Sequence, residues 1–354
     1  MVEDFLSLAN NIKSIDRGLV QLTQKRLDNL TKPLGSFGRL EEIAKLIVGL
    51  TGKKDIKLKS KVIFTLAADH GVTDEGVSPY PKEVTAQMVY NFLRGGAGIN
   101  VLAKHVGARI VVADLGVAER IKTKNKNFYD RKVRLGTANM ARGPAMTKED
   151  AEKAINAGVE IFNAEYKKGI DIIGIGEMGI GNTTAASALT ALFTKTKIEE
   201  VSGRGAGLDD AGLARKIEVI KRALEINSPD ASDPVGVLAK VGGLEIAGLV
   251  GIIIASCGKR LPVVLDGFIS SSAALTASFI KPQVKEYMIA SHCSVEKGHK
   301  VILAHLGLKP LLDLSLRLGE GTGAALGINL VEASVKILQE MATFDSAGVS
   351  KKEA

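Results

Sequence analysis

Short apolar segments recur along the middle of the chain, each bounded by glycine, proline or polar residues, and they predict buried β-strands. They lie at residues 62–68, 110–113, 170–175, 261–265 and 287–290. The intervals between them are long enough for crossover helices. Strands that are apolar throughout and separated by helical intervals are typical of a doubly wound sheet. We therefore expect an α/β fold with a mostly parallel sheet and helices on both faces.

Both ends of the chain carry apolar residues at helical spacing. Leu40, Ile43 and Ile47 share one helical face and predict a helix over residues 38–50. The same spacing recurs over residues 324–341. Because both segments are amphipathic, each needs an apolar surface to pack against.

The length of 354 residues exceeds that of an ordinary single domain. We expect the two helical ends to pack together as a small domain, formed by residues 1–58 with residues 328–354. Residues 59–327 would then form a large α/β domain.

Polar residues follow each predicted strand directly. They are Asp69-His70-Gly71, Asp114, Gly176-Glu177, Asp266-Gly267 and Ser291-His292. The carboxyl ends of parallel strands lie along one edge of a sheet, where doubly wound folds bind their ligands. One such residue could simply begin a loop, whereas five that converge would form a site.

Composition narrows the class of protein. The chain has 45% hydrophobic residues, 38 glycines and only 4% aromatics, a mixture suited to aliphatic parallel sheets. The cysteines and the start of the chain bear on the compartment. The two cysteines, Cys257 and Cys293, cannot build a disulfide framework. Residues 1–20 lack the apolar run of a signal peptide. The most apolar stretch, residues 244–257, is shorter than the roughly 20 residues that span a bilayer. We expect a cytoplasmic protein with no membrane segment.

The net charge of +8 invites comparison with nucleic-acid-binding proteins. The lysines, however, lie in short clusters without the interleaved aromatic residues that stack on bases. We therefore expect no nucleic-acid partner. Anionic small-molecule substrates would also suit this charge.

A glycine-rich segment, residues 174–184, follows one predicted strand and opens a helical run. It contains G-x-G-x-x-G, whose glycines let backbone N–H groups approach a phosphate at a helix N-terminus. A dinucleotide site would need a second strand ending in an acidic residue about 20 positions later, but residues 194–200 are poor in apolar residues. A P-loop would need lysine where Asn182 stands. The pattern thus favours a phosphate site over dehydrogenase or nucleoside triphosphatase chemistry.

A second glycine-rich turn, residues 317–323, precedes the C-terminal helix and contains Glu320 between two glycines. It could be an ordinary flexible loop. Flanking glycines, however, let a ligand approach a side chain closely, and Arg317 could neutralise a carboxylate or phosphate.

The histidines and serines give weaker signals. His70, His292 and His299 show no recognised zinc spacing, so we expect hydrogen-bonding roles and no metal. Residues 270–272 are three serines without the G-x-S-x-G pattern of a hydrolase. We propose no serine nucleophile.

Taken together, the chain resembles the nicotinate-nucleotide:dimethylbenzimidazole phosphoribosyltransferase family nearly from end to end. The resemblance is carried by Leu30-Thr31-Lys32-Pro33-Leu34-Gly35-Ser36, Ala68-Asp69-His70-Gly71-Val72, Gly76-Val77-Ser78, Glu83-Val84-Thr85-Ala86-Gln87-Met88, Gly176-Glu177-Met178-Gly179-Ile180-Gly181-Asn182-Thr183-Thr184, Gly203-Arg204-Gly205-Ala206-Gly207-Leu208-Asp209, Leu265-Asp266-Gly267-Phe268-Ile269, Arg317-Leu318-Gly319-Glu320-Gly321-Thr322-Gly323 and Met341-Ala342-Thr343-Phe344. It implies a Rossmann-like sheet domain with a small helical domain built from the chain ends, in a homodimer.

The resemblance also implies an activity and a site. The phosphoribosyl group of nicotinate mononucleotide would pass to dimethylbenzimidazole, with Glu320 as catalytic base and Glu177 as a second acidic residue. The nucleotide and its phosphate would be bound by Gly179, Ile180, Gly181, Asn182, Thr183, Lys216, Ser294, Arg317, Gly319 and Gly321. The acceptor base would be bound by Ser78, Tyr80, Gln87 and Met178. No metal or dissociable cofactor is implied, because the pyridinium of the nucleotide is already an activated leaving group.

Two other functions stay open. The same chemistry could serve another acceptor, such as adenine, another benzimidazole or a phenol, since a methyl group discriminates by only about 1–3 kcal/mol. A non-catalytic nucleotide-binding protein is the other alternative, which the glutamate at position 320 disfavours.

Overall fold

The computed structural model describes residues 4–350, which form a six-stranded sheet surrounded by helices. The strands are β1 (Lys61–Ala68), β2 (Ala108–Gly116), β3 (Phe128–Asp130), β4 (Ile172–Met178), β5 (Val263–Leu265) and β6 (Met288–Ala290). Every neighbouring pair is parallel, in the order β3-β2-β1-β4-β5-β6. This is the strand order of a Rossmann fold, and it reverses between β1 and β4. The predicted fold class is confirmed.

Fifteen α-helices are found in the described part of the chain. They are α1 (Phe5–Asn10), α2 (Arg17–Asp28), α3 (Arg39–Thr51), α4 (Val84–Arg94), α5 (Gly98–His105), α6 (Lys148–Tyr166), α7 (Asn182–Thr194), α8 (Ile198–Val201), α9 (Asp210–Asn227), α10 (Pro234–Val241), α11 (Leu244–Gly258), α12 (Phe268–Ile280), α13 (Lys297–Leu306), α14 (Thr322–Glu340) and α15 (Phe344–Ala347). Two short 3₁₀ helices, Gly71–Glu75 and Pro282–Tyr287, complete the secondary structure.

All five predicted strands lie in the sheet, and two differences from the prediction have physical causes. The pattern misses β3 because this strand has only three residues, none of them buried. Strand β4 extends three residues further than predicted, because Gly176 to Met178 still pair with β1. Glu177 is therefore held within the strand and not in the loop after it.

Alternate residues of β1 face different helices, as the two-residue period of a strand requires. Phe64 and Leu66 face α6 and α11: the Phe64 ring lies 6.4 Å from the ring of Phe162 in α6. Ile63 and Thr65 face α14, and the Thr65 hydroxyl donates to the carbonyl oxygen of Glu320 at 2.8 Å. The central strand thus contributes one face to the core and the other to the turn that carries Glu320.

The two ends of the described chain pack against each other. Leu30 pairs with Thr343 in an antiparallel bridge, and the Arg26 guanidinium donates to the carbonyl oxygen of Leu338 at 2.8 Å. Helix α3 packs against α2 and α14.

The division into two domains stays a prediction. Its boundary after residue 327 falls inside α14, which is one continuous helix. Residues 1–3 and 351–354 of the predicted small domain lie outside the described residues.

Helix α11 is the predicted apolar stretch, and all but its last residue are buried. Its glycines bring it into backbone contact with α6: a β-carbon at Gly158 would overlap the carbonyl oxygen of Gly248, and one at Gly251 would overlap that of Ile155. Across residues 4–350, no helix is both long and apolar enough to cross a membrane.

We predict that Gly158→Ala destabilises the fold, because its added methyl group has no space against α11. Overpacking of this kind costs about 1–3 kcal/mol or more. Gly258→Ala is the matched control, since a β-carbon there would lie 3.7 Å from the Leu8 side chain, an ordinary contact. Thermal unfolding followed by circular dichroism should show a lower Tm for Gly158→Ala only. Equal Tm values in the two variants would contradict the close helix packing.

Candidate active site

Two glycine-rich turns meet at the carboxyl ends of β1, β4 and β5. The first follows β4 and leads into α7, and the second precedes α14. A β-carbon at Gly176 would overlap the backbone of Glu320, and one at Gly319 would lie 2.6 Å from a carboxyl oxygen of Glu177. The absence of side chains at these glycines is what lets the two turns approach each other.

The second turn has an unusual backbone. Gly319, Glu320 and Gly321 have φ angles of 84°, 64° and 99°, so Glu320 lies in the left-handed region that glycine favours. Its carbonyl oxygen accepts from Thr65, and its carboxylate accepts from the backbone N–H of Ile99 at 3.1 Å. Backbone strain at a non-glycine residue persists when the surrounding structure determines it, typically at functional sites.

The carboxylate of Asp266, directly after β5, fixes the start of α14. It accepts from the N–H groups of Gly321 at 3.0 Å, Gly323 at 2.6 Å and Ala324 at 3.3 Å. These donors are the amides that a helix N-terminus leaves without intrahelical partners. The N-terminus of α14 is therefore already occupied by an internal anion.

Glu320 is a carboxylate suited to accept a proton. Its side chain is only 4% exposed. Burial raises the pKa of Glu320, the nearby charge of Asp266 raises it further, and the hydrogen bond from Ile99 opposes both effects. A raised pKa makes a carboxylate a stronger base near neutral pH.

Glu177 lies beside Glu320 in a more extreme environment. Burial raises the pKa of Glu177 to about 8, and the negative charges of Glu245 and Asp266 contribute to this. The side-chain amide of Asn182 donates to Oε2 of Glu177. A pKa of about 8 favours the protonated form of Glu177 at neutral pH.

The first turn presents an open helix N-terminus, in contrast to that of α14. Ile180 N–H donates to the Thr85 hydroxyl at 3.1 Å, and Asn182 N–H to the Gly179 carbonyl at 3.1 Å. The N–H groups of Gly181 and Thr183 have no acceptor within residues 4–350. Unpaired amides at a helix start form an anion site.

A buried cation adjoins these open amides. The Lys216 ammonium donates to the Thr183 hydroxyl at 2.8 Å and to the Gly203 carbonyl at 3.2 Å. Burial lowers the pKa of Lys216 to about 8, although the charge of Glu296 partly offsets this. The lysine is therefore placed to contact an anion bound at the start of α7.

Ser294 and the Gly203–Gly205 loop both contact Glu296, whose charge acts on this lysine. Ser294 N–H donates to Nδ1 of His299 at 2.9 Å, and its hydroxyl accepts from the Glu296 backbone at 3.3 Å. Glu296 in turn accepts from the Gly205 N–H at 3.0 Å and has one buried carboxyl oxygen without a partner among the described residues. Sequence reasoning missed Glu296, because only the folded chain brings it beside the lysine.

The other predicted binding residues are more exposed. Arg317 is exposed, and its guanidinium forms no hydrogen bond or ion pair within the described residues. The Ser78 hydroxyl accepts from the backbone of Tyr80, whose side chain is 52% exposed. Gln87 is exposed on α4, and Met178 at the end of β4 is half-buried. The structure places Met178 next to the first turn. The acceptor-binding role of Ser78, Tyr80, Gln87 and Met178 stays a prediction.

The backbone of the first turn itself requires glycine at position 181. A β-carbon there would lie 2.8 Å from the Thr73 side chain, and the φ of 92° disfavours any other residue. A bulky substitution at this position would therefore disturb the turn itself, and it cannot report on anion binding alone.

Two of the three histidines considered in the sequence, His70 and His299, form side-chain hydrogen bonds, whereas Nδ1 of His292 is buried without a partner among the described residues. Nε2 of His70 lies 2.7 Å from Glu245, and Nε2 of His299 lies 3.0 Å from the Ser271 hydroxyl. Within residues 4–350 no group of three or more His, Cys, Asp and Glu side chains is arranged to hold a metal ion.

Comparison with known proteins agrees with this geometry. The sequence model of a family described as Phosphoribosyltransferase matches residues 12–349. The chain belongs to this family. Two relatives carry the name nicotinate-nucleotide–dimethylbenzimidazole phosphoribosyltransferase: that of Geobacter metallireducens is 55% identical over 97% of both chains, and that of Desulforudis audaxviator is 54% identical over 96% of both. The crystal structure of CobT from Thermus thermophilus superposes with a TM-score of 0.91, at 44% identity, over 95% of this chain and all of that one.

Family membership and structure together remove the dehydrogenase alternative. The chain is a phosphoribosyltransferase, an enzyme that transfers a pentosyl group. A dinucleotide-binding unit would need a strand directly after α7. The enzyme has the short helix α8 there instead, which ends at Val201.

We predict that the stability of the enzyme falls relative to Glu177→Gln as pH rises from about 4.5 to about 8. The usual pKa of 4.5 applies to Glu177 in the unfolded chain, and the value of about 8 applies in the folded chain. Between these values the folded state binds one proton more than the unfolded state, so raising the pH favours unfolding. Denaturant unfolding of both proteins across this range measures the difference, and parallel pH profiles would show that Glu177 is already ionised.

Proposed function

We propose that the enzyme transfers the phosphoribosyl group of nicotinate mononucleotide to dimethylbenzimidazole. The products are α-ribazole phosphate, which supplies the lower ligand of cobamides, and nicotinate. The observation that carries this proposal is the buried carboxylate of Glu320, held near a helix N-terminus whose backbone amides are open. The names of the related proteins support the choice of substrates.

Glu320 supplies the base that this reaction requires. A benzimidazole has one ring nitrogen with a free lone pair and one that bears hydrogen. When the lone pair attacks the anomeric carbon, the bond to nicotinate breaks and its electron pair neutralises the pyridinium. Positive charge moves onto the acceptor, whose N–H proton passes to the carboxylate of Glu320. Because attack comes opposite the leaving group, the anomeric carbon inverts to the α configuration.

Glu177 has a supporting role in this proposal. With its pKa near 8, its carboxyl group carries a proton at neutral pH and is a hydrogen-bond donor. It therefore orients the substrate and leaves the proton transfer to Glu320.

The nucleotide's phosphate binds at the start of α7. The backbone N–H groups of Gly181 and Thr183 are open there, and Lys216 lies next to Thr183. Ser294, Arg317 and Gly319 complete the site around the ribose phosphate. The N–H of Gly321 is already bonded to Asp266, so Gly321 has no free donor for the nucleotide. Its role is to let the nucleotide approach the backbone closely.

Ser78, Tyr80, Gln87 and Met178 form the acceptor pocket in this proposal. An aromatic base is held mainly by the shape of its pocket, so related benzimidazoles, adenine or phenols are candidate alternative acceptors. Incubation of the purified enzyme with nicotinate mononucleotide and a panel of these bases, with products identified by mass, tests the choice. Absence of a riboside from every base would refute the transferase assignment.

We also infer that the enzyme is a cytoplasmic homodimer that uses no metal or dissociable cofactor. The family resemblance supports the dimer, and two unpaired cysteines suit a reducing compartment. Light scattering after gel filtration tests the dimer. Activity that disappears on exhaustive chelation and returns with a divalent ion would overturn the cofactor inference.

We predict that Glu320→Gln lowers turnover by about 10²- to 10⁴-fold, because it keeps the shape of the side chain and removes its basicity. Affinity for nicotinate mononucleotide should stay within a few-fold of the parent. Glu340→Gln, at an exposed position at the end of the helix that follows the Glu320 turn, is the matched control. Single-turnover assays measure the chemical step directly. A chemical step within a few-fold of the parent would show that Glu320 is not the base.

We predict that Lys216→Met weakens nicotinate mononucleotide binding by about 10- to 100-fold, since a hydrogen bond to a charged group contributes about 1.5–3 kcal/mol. Lys221→Met is the control, because Lys221 lies on the same helix with an exposed side chain. Affinity of the parent should also fall above pH 8, where Lys216 loses its proton in the free enzyme. Calorimetry measures both effects. Equal affinities in the two variants would place the phosphate elsewhere.

A further inference from the structure

We propose that Asp266 is a positioning residue for the catalytic base: it holds the left-handed turn of Glu320 through the first amides of α14. The role of Glu320 as base belongs to the proposed function, and this inference depends on it. Asp266 precedes Glu320 by more than fifty positions in the chain and does not need to touch substrate to act.

The hydrogen bonds of Asp266 define the turn. Oδ2 accepts from Gly321, the residue directly after Glu320, and Oδ1 accepts from Gly323 and Ala324. The Thr65 hydroxyl donates to the Glu320 carbonyl, and the backbone N–H and hydroxyl of Thr322 donate to the Gly319 carbonyl. Among the described residues, Asp266 is thus the side chain that accepts from the backbone N–H groups of Gly321, Gly323 and Ala324.

The surroundings of Asp266 leave little room for the turn to move. The ring of His292 lies 3.7 Å from Oδ1, and a β-carbon at Gly323 would overlap this ring. Asp266 itself is 1% exposed. Separating this carboxylate from its donors would leave buried polar groups without hydrogen-bond partners, which is unfavourable. The position of the Glu320 turn therefore depends on the position of the Asp266 carboxylate.

The N-termini of α7 and α14 have different roles in this arrangement. Each helix N-terminus carries a partial positive charge that favours an anion. At α14 this anion is Asp266, whereas the Gly181 and Thr183 amides of α7 are open within the described residues. The substrate phosphate consequently binds at the N-terminus of α7, whereas the N-terminus of α14 positions the base.

The charge of Asp266 acts on Glu320 as well. It raises the pKa of Glu320 in addition to the effect of burial. The other groups that face the Glu320 turn are Glu177 from β4 and, on the turn itself, the exposed Arg317. Helix α5 presents the backbone N–H of Ile99, and its charged residues Lys104 and His105 lie at its far end. Loss of the charge at position 266 should therefore lower the pKa of the base.

Asp266→Asn tests the inference, because it keeps the size of the side chain, removes the charge and turns an N–H₂ group toward an amide donor. We expect kcat with nicotinate mononucleotide and dimethylbenzimidazole to fall about 10- to 100-fold, while nucleotide affinity changes by less than a few-fold. The acid limb of the kcat/KM profile should move to lower pH, since that limb reports ionisation of the base in the free enzyme.

Asp114→Asn is the matched control. Asp114 is equally buried at the same edge of the sheet, where it accepts from the Val117 N–H at 2.8 Å and pairs with Lys132 at 2.7 Å. It makes no hydrogen bond to the Glu320 turn among the described residues. We expect this variant to lose stability without a shift of the acid limb.

A double-mutant cycle separates positioning from a general structural effect. If Asp266 acts through Glu320, Asp266→Asn should cost little further activity in a Glu320→Gln background. Additive losses, or an unmoved acid limb in the single variant, would overturn the inference while leaving the transferase assignment intact. Failure of the parent enzyme to form any riboside would instead refute the proposed function.

Hydrogen exchange of the parent enzyme provides a test that needs no variant. The amides of Gly321, Gly323 and Ala324 should exchange as slowly as the interior of α14, because Asp266 binds all three. Complete exchange of these amides within seconds would overturn the inference even if Asp266→Asn does not fold.

Discussion

Three backbone amides at the start of α14 converge on one buried carboxylate, and the geometry of the site follows from this contact. Asp266 directly follows β5, so its position is set by the sheet, and through Gly321 and Gly323 it transmits that position to the turn before α14. Glu320 can occupy a left-handed backbone conformation because the residues on both sides of it are fixed. The central sheet thus determines where the carboxylate of Glu320 lies.

Charge is distributed unevenly across the site, in a way that suits the proposed substrate. Glu177, Asp266 and Glu320 lie together at one end, where burial and the charges of neighbouring carboxylates raise the pKa of Glu177 to about 8. Lys216 and the open amides of α7 lie at the other end. Nicotinate mononucleotide has a cationic pyridinium and an anionic phosphate, so each end of the molecule meets complementary charge. During the reaction the pyridinium becomes neutral nicotinate and the positive charge moves to the acceptor. The acceptor also lies beside the carboxylates.

The sequence predicts those parts of the structure that local patterns determine. Apolar runs with polar ends located β1, β4 and β5, because strands buried on both faces leave a continuous hydrophobic signal. The glycines around Glu320 indicated close approach, and resemblance supplied roles for Lys216 and Ser294. The contact between Asp266 and Gly321 gave no local signal, because residues distant in sequence meet only through the order of the strands. The same holds for Glu245, which bonds to His70 across 175 positions.

A crystal structure of Glu320→Gln with nicotinate mononucleotide and dimethylbenzimidazole bound tests most directly whether Glu320 meets the acceptor's N–H. We expect the N–H nitrogen of the acceptor to lie about 2.6–3.2 Å from the side-chain oxygen of residue 320, with the other ring nitrogen facing the anomeric carbon. An acceptor whose N–H points to Glu177 or to solvent, with residue 320 out of hydrogen-bond reach, would contradict it.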